Sequence, residues 1–325
     1  MAEAAQKVHV LNPFDHVRSL CQRIATKVGE RVVGQEETVQ CITAGLLLGG
    51  HVLMEGVPGV GKTLVARTLA DAVHLRFARV QFTPDLMPSD ILGTYVVQTG
   101  PQGQPILSLQ QGPLFANIVL ADEINRATPR TQSAMLEVMN DAQVTIDGVT
   151  HVLDQPFMLI ATQNPSDFEG TFALPENQMD RFLMRISLGY PSVEQEVRIL
   201  QDRPGQGALQ ALRPVIDAAG VRALQQQTDA VVVDESLRRY VVAIASATRA
   251  SDELLLGLST RGALALTQAA RATALLRGRG FVIPEDILEN LSAVCSHRVI
   301  TRTALDGEGT GRVLEGIVKG IASPA

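Results

Sequence analysis

Gly56-Val57-Pro58-Gly59-Val60-Gly61-Lys62-Thr63 is the stretch that decides the fold. Its pattern is GxxxxGK followed by a hydroxyl residue. A short apolar run, His51 to Glu55, precedes it, and a helical pattern from Lys62 to Val73 follows. Strand, glycine-rich turn and helix are the context in which such a loop works. The glycines let backbone N–H groups converge on phosphate oxygens, and the helix presents its positive end to the same point. Lys62 would neutralise the outer phosphates and the Thr63 hydroxyl would ligate Mg²⁺.

Four further apolar runs lie outward from this loop: Phe77–Phe82, Asn117–Ala121, Phe157–Thr162 and Arg185–Leu188. Most alternate with helical patterns, such as Thr131 to Asn140. Strands interleaved with helices imply an α/β fold, a parallel five-stranded sheet with helices on both faces. Two stretches interrupt the rhythm. Gln143 to Leu153 centres on Asp147-Gly148 between β-prone runs, a strong hairpin signal. Tyr95 to Leu109 carries Gly-Pro-Gln-Gly between β-prone runs, a weaker one. Upstream, Phe14–Val28 and Glu36–Leu48 read as helices, the second ending at Gly49-Gly50.

After about Pro191 no strand core is expected. Residues 215–227, 234–249, 260–277 and 284–297 read as helices, with Pro284 in a first turn. Gln201–Gly207 reads as a loop. The chain is therefore divided near 190, into an α/β core (1–190) and an all-helical domain (191–325).

Three polar sites fall at strand ends. Ile118-Val119-Leu120-Ala121-Asp122-Glu123 ends in two carboxylates, at the mouth of a nucleotide crevice. Asp122 would hold the Mg²⁺ shell and Glu123 would orient and deprotonate an attacking water, which argues for hydrolysis over binding alone. Thr162-Gln163-Asn164-Pro165 offers a polar amide for the water or the terminal phosphate. Asp180-Arg181-Phe182 carries an arginine able to reach a neighbouring subunit's phosphate, with Arg185 as a rival. Farther on, Leu258-Ser259-Thr260-Arg261-Gly262 opens a helix. Arg261 there opposes the helix dipole, which hints at another task, leaning over the nucleotide.

Composition narrows the partners. The 325 residues are 46% hydrophobic and 19% charged, which is globular. Aromatics are 4% and Trp is absent, which disfavours base stacking on single strands. The net charge of −6 gives no global pull toward phosphate backbones. Cys21, Cys41 and Cys295 are sparse and show no ligand spacing, which fits a reducing compartment. The longest apolar stretch, Ala44 to Met54, is too short to span a bilayer. A cytoplasmic protein without membrane insertion is expected. The six histidines form no metal-spaced cluster.

With these residues in hand, the chain resembles the MoxR family of AAA+ ATPases, in the helix-2-insert clade. The resemblance rests on Val33-Gly34-Gln35-Glu36, the phosphate loop, Gln81 to Ile91, Gly112 to Phe115, Ala121 to Ala127, Gln143 to Gly148, Ala161 to Pro165 and Leu174 to Leu183. It covers roughly residues 14 to 320. It implies ATP as the nucleotide and Mg²⁺ as the ion. Gly56 to Thr63, with Leu64 after them, look like Walker A, and Asp122-Glu123 look like Walker B. Asn164 looks like sensor 1, Arg181 like the trans-acting arginine finger and Arg261 like sensor 2. Val33-Gly34 lie where such proteins contact adenine.

The two hairpin stretches resemble insertions that face a ring pore. The family implies a homo-oligomer, a hexamer, chaperone-like action on a protein client, and a von Willebrand factor A-domain partner. Thr260 stands where the family often has proline, and Pro165-Ser166-Asp167-Phe168 differ from its common run. A nucleic-acid motor and a slow regulatory NTP switch are the rival readings. The acidic balance and missing aromatics favour protein remodelling.

Overall fold

The computed structural model describes residues 13–164, 170–202, 213–303 and 306–324. Residues 203–207 of the expected junction loop, and Pro165 to Phe168, lie outside the described residues. Two helices, α1 (Pro13–Gly29) and α2 (Glu36–Leu47), lead to β1 (Val52–Gly56) and α3 (Lys62–Ala72). Then come β2 (Phe77–Gln81), α4 (Pro88–Leu92), β3 (Gly93–Thr99), β4 (Pro105–Gln111) and β5 (Ile118–Asp122). They are followed by α5 (Pro129–Asp141), β6 (Gln143–Ile146), β7 (Val149–Val152), β8 (Met158–Gln163), α6 (Glu176–Met179) and β9 (Met184–Leu188). The remainder is α7 (Val193–Asp202), α8 (Ala218–Asp229), α9 (Glu235–Ala250), β10 (Leu254–Leu256), α10 (Thr260–Leu276), α11 (Pro284–Glu289), α12 (Leu291–Cys295), β11 (Ile300–Thr301) and α13 (Gly307–Lys319).

Five strands form one parallel sheet in the order β2-β5-β8-β1-β9. The three inner strands are continuously apolar because both of their faces are covered. Alternation still sorts their side chains. Met54, Ile118, Leu120, Met158 and Ile160 join the core shared with α1, α2, α3 and the C-terminal helices. Leu53, Val119, Ala121, Leu159 and Ala161 face the other way, toward α5 and the hairpins. Period-2 side-chain direction thus gives one sheet two cores.

Both interruptions are antiparallel hairpins, β3–β4 and β6–β7. Asp147 (φ 49°) and Gly148 (φ 80°) both take left-handed backbone at the second tip. That is the turn for which an Asp-Gly pair is suited. Tyr95 Oη and His151 Nε2 lie 3.1 Å apart and tie the two hairpins together.

The C-terminal part departs from the all-helical expectation in two places. β10 and β11 pair as a short antiparallel ribbon, with Leu254 opposite Thr301. Its strands are too short for alternation to be seen. The helix expected over 284–297 is broken at Asn290, whose Nδ2 donates to the Asp286 carbonyl (2.8 Å) and to Thr273 Oγ1 (2.7 Å). These helices rest on the sheet unit. Helix α10 packs on α1 and α2, α8 on α2, and α12 on β9. Among the described residues no helix is long and apolar enough to cross a membrane.

Candidate active site

Because all five strands run the same way, their carboxyl ends share one edge of the sheet. Glu55 pairs with Gln163, and Gln81 with Asp122. That register brings the loop after β1, the carboxylates ending β5 and the amide after β8 to one place. Residues Gly56 to Leu64, Asp122, Glu123 and Asn164 therefore converge, as open α/β sheets direct ligands to this edge.

The loop has the form of a cradle. Gly59 (φ 88°) and Gly61 (φ 91°) both use left-handed backbone, which glycine adopts without steric penalty. A Cβ at either position would meet no atom within 4 Å, so the loop's surface there is open. Helix α3 begins at Lys62, and its first N–H groups face the loop. Lys62 Nζ donates to the Gly56 carbonyl at 2.6 Å, which holds the ammonium across the cradle. These donors and this cation fit a polyphosphate, and the Thr63 hydroxyl and Asp122 carboxylate fit a hard divalent ion.

The carboxylates sit in a bonded chain. Thr162 Oγ1 donates to Asp122 Oδ1 at 2.5 Å and accepts from the Glu123 backbone N–H at 2.9 Å. Arg79 on β2 donates to Asp122 Oδ2 from Nε (3.0 Å) and Nη2 (2.6 Å). Gln81 Nε2 donates to Glu123 Oε2 at 2.8 Å, and Arg126 Nε lies 3.0 Å from the same oxygen. Glu123 has φ 58° and ψ 50°, a left-handed conformation that a non-glycine residue holds at a cost of roughly 1–2 kcal/mol. The Thr162 bond holds it there. Arg79, Gln81 and Arg126 did not stand out in the sequence. The available signal was the alternation in β2, which puts Arg79 and Gln81 on one face beside Asp122.

Val33 and Gly34 lie in the turn between α1 and α2. Gly34 has φ 78°, and a Cβ there would come within 2.5 Å of Gln195 Oε1 on α7. This turn and the start of α7 form one wall.

Of the three candidate arginines, Arg181 and Arg261 lie at the other edge of the sheet. Arg181 is half-buried just before β9, at the amino edge of the sheet. Arg185, on β9, is held within the chain: Nη1 lies 3.7 Å from Glu55 Oε1 and Nη2 donates to Ser296 Oγ at 3.2 Å. Arg261 does not lean over its own chain's cradle. Its Nη2 donates to Asn140 Oδ1 at 3.3 Å. The preceding residue, Met139, accepts through its carbonyl from His51, which lies just before β1. The contact is thus at the amino edge, opposite the phosphate loop. Arg298 fixes this placement: it bonds Asp180, Phe182 and Leu183, and its side chain packs against Gly262. A cavity of about 530 Å³ lies beside it, lined by Asp180, Ser259, Thr260 and His297 among others.

A parallel sheet with this strand order, a phosphate cradle at its carboxyl edge and paired carboxylates beside the cradle define a P-loop ATPase. Residues 51–184 match the family model described as ATPase family associated with various cellular activities (AAA), and residues 246–317 match the AAA lid domain. The chain is 43% identical to Chaperone MoxR1 of Mycobacterium tuberculosis, over 88% of this chain and 78% of that one. It is 40% identical to the uncharacterized protein YeaC of Bacillus subtilis over 95% of each, and 33% identical to Protein MoxR of Paracoccus denitrificans over 85% and 87%. The crystal structure of a putative ATPase from Cytophaga hutchinsonii superposes with a TM-score of 0.88 at 36% identity, covering 96% of this chain and 97% of that one. The chain belongs to the MoxR family of AAA+ ATPases.

Proposed function

We propose that the chain hydrolyses ATP with Mg²⁺ in a ring of identical subunits and spends the turnover on remodelling a protein client. The observation that carries this reading is the split of functional groups between the two sheet edges. Cradle, carboxylates and Asn164 stand at the carboxyl edge, while Arg181 and Arg261 stand at the amino edge. A site completed by arginines that its own chain holds at the opposite edge calls for a neighbour.

In this reading residues 1–190 are the nucleotide-binding core and 191–325 the lid. Gly56 to Leu64 hold the phosphates, Lys62 neutralises them, and Val33-Gly34 with the start of α7 flank the adenine. Thr63 and Asp122 hold Mg²⁺, which supplies charge neutralisation at the transferred phosphoryl group. Glu123 orients water and takes its proton, and Asn164 positions that water. Arg181, and with it Arg261, stabilise charge in the neighbour's site, whereas Arg185 serves its own chain. Catalysis is positioning and electrostatics.

The protein-client reading draws on the name of the chaperone relative and on the hairpins. Neither 93–111 nor 143–152 contains a Lys or Arg, so these surfaces have no cation for a nucleic-acid backbone. A hexameric ring in the cytoplasm with a von Willebrand factor A-domain partner completes the proposal. Capture with Glu123→Gln in ATP and Mg²⁺ tests it. Recovery of such a partner with a protein client is the expected result. Recovery that nuclease abolishes would replace the reading with a nucleic-acid motor.

A further inference from the structure

Both carboxylate oxygens of Asp122 already accept hydrogen bonds. Thr162 occupies Oδ1, and Arg79 occupies Oδ2 with two N–H groups of one guanidinium. The Asp122 side chain is 11% exposed, so its charge needs a partner, whereas that of Arg79 is 47% exposed and has solvent into which it can swing. The same Nη2 also donates to Gln81 Oε1 at 2.7 Å, which turns the Gln81 amide nitrogen toward Glu123 Oε2. One guanidinium therefore neutralises the carboxylate proposed to face the metal and sets the amide that restrains the carboxylate proposed to activate water.

We propose that Arg79 is a cation gate on Asp122. It holds Oδ2 while the divalent ion is away and leaves when the ion arrives. This rests on the reading of Asp122 as a metal-facing carboxylate. Arg79 is a positioning residue: it competes with the ion for an oxygen of Asp122.

The test is Mn²⁺ affinity in the presence of saturating nucleotide, read by electron paramagnetic resonance, alongside nucleotide affinity in EDTA. Arg79→Ala and Arg79→Gln should each tighten Mn²⁺ binding about two- to fivefold, the factor an ion pair with one exposed partner is worth. Metal-free nucleotide affinity should stay unchanged, which also reports that the cradle is folded. Arg79→Gln keeps a hydrogen-bond donor and so serves if the alanine variant does not fold. Unchanged or weaker Mn²⁺ binding in the folded variants would overturn the gate. Asp122→Asn separates the two layers. If it leaves Mn²⁺ affinity unchanged, the reading of Asp122 fails. If it weakens Mn²⁺ while the Arg79 variants do not strengthen it, only the gate fails.

Discussion

Arg261 Nη2 donates to Asn140 Oδ1 at 3.3 Å, and this bond joins the start of α10 to the end of α5 at the sheet's amino edge. The first turn of the lid helix is thereby held away from its own chain's phosphate loop. Arginine in that turn is also opposed by the helix dipole. Its position makes sense as a charge offered outward.

A complementation follows. Arg181→Ala combined with Arg261→Ala should cost turnover by about 10³, in the range of other trans-acting arginines. Nucleotide affinity should be retained. Mixing that double variant with Lys62→Ala, which keeps both arginines but lacks the cradle cation, should restore part of the activity. Each productive site would then take its cradle from one chain and its arginines from the other. Mixtures no more active than the sum of their parts would mean that the two arginines do not act on a neighbour's site.

Most of the sheet was readable because buried parallel strands are short apolar runs between helices. His51–Glu55 and Asn117–Ala121 could hardly be misread. The Asp147-Gly148 turn was readable because few residue pairs take left-handed backbone twice in succession. Helix α13 was not anticipated, since Gly307, Gly309 and Gly311 in its first turns mask its propensity; Asp306 caps it through the Gly309 N–H at 2.7 Å. Convergence of Asp122, Glu123 and Asn164 followed from strand ends alone. The partners Arg79 and Gln81 did not, because register between strands far apart in sequence decides them. The side on which Arg261 lies was likewise a matter of lid docking, which local spacing does not encode.

Arg185 ties the sheet to the C-terminal helices. It lies 3.7 Å from Glu55 on the neighbouring strand β1 and bonds Ser296 beyond α12, while Gln163 Nε2 donates to the same Glu55 oxygen. Gln163 precedes Asn164, so the strand end beside the glycine-rich loop and the C-terminal helices share one ion pair. Both side chains are about 15% exposed. Removing one partner strands a mostly buried charge, at a cost of about 2–4 kcal/mol. Arg185→Met and Glu55→Gln should each lower the urea midpoint, and the double variant should be more stable than their sum predicts. Additive losses would show that the two residues are not coupled.

The three thiols should be inert in the folded protein. Burial pushes Cys21 up to about 12, Cys295 to about 12, and Cys41 to about 11, the last with Glu37 adding to burial. At pH 8 the reactive thiolate is then a fraction of about 10⁻³ or less of each. Alkylation of the native chain should run at least about 10²-fold slower than alkylation of the urea-unfolded chain. Fast labelling of any one cysteine in the native state would contradict this burial.

His51 makes stability depend on acid. Its Nε2–H donates to the Met139 carbonyl at 2.9 Å, and its Nδ1 accepts from the Leu159 N–H at 3.0 Å, so the ring sits neutral in the core. Burial pushes its pKa down to about 4, against an ordinary 6.5, and the Met139 bond only partly opposes this. Between those values the unfolded chain binds a proton that the folded chain refuses. Stability from this group is full above pH 6.5 and falls as pH drops toward 4, by on the order of 3 kcal/mol in all. Burial and the neighbouring Arg298 lower His297 as well, so it adds a loss of the same sign. Glutamine at position 51 can offer the same donor and acceptor without titrating. In urea titrations from pH 7 to pH 4, His51→Gln should therefore lose less stability than the parent chain, with the remaining slope owed to His297 and other groups. Equal slopes for the two proteins would remove His51 as the source.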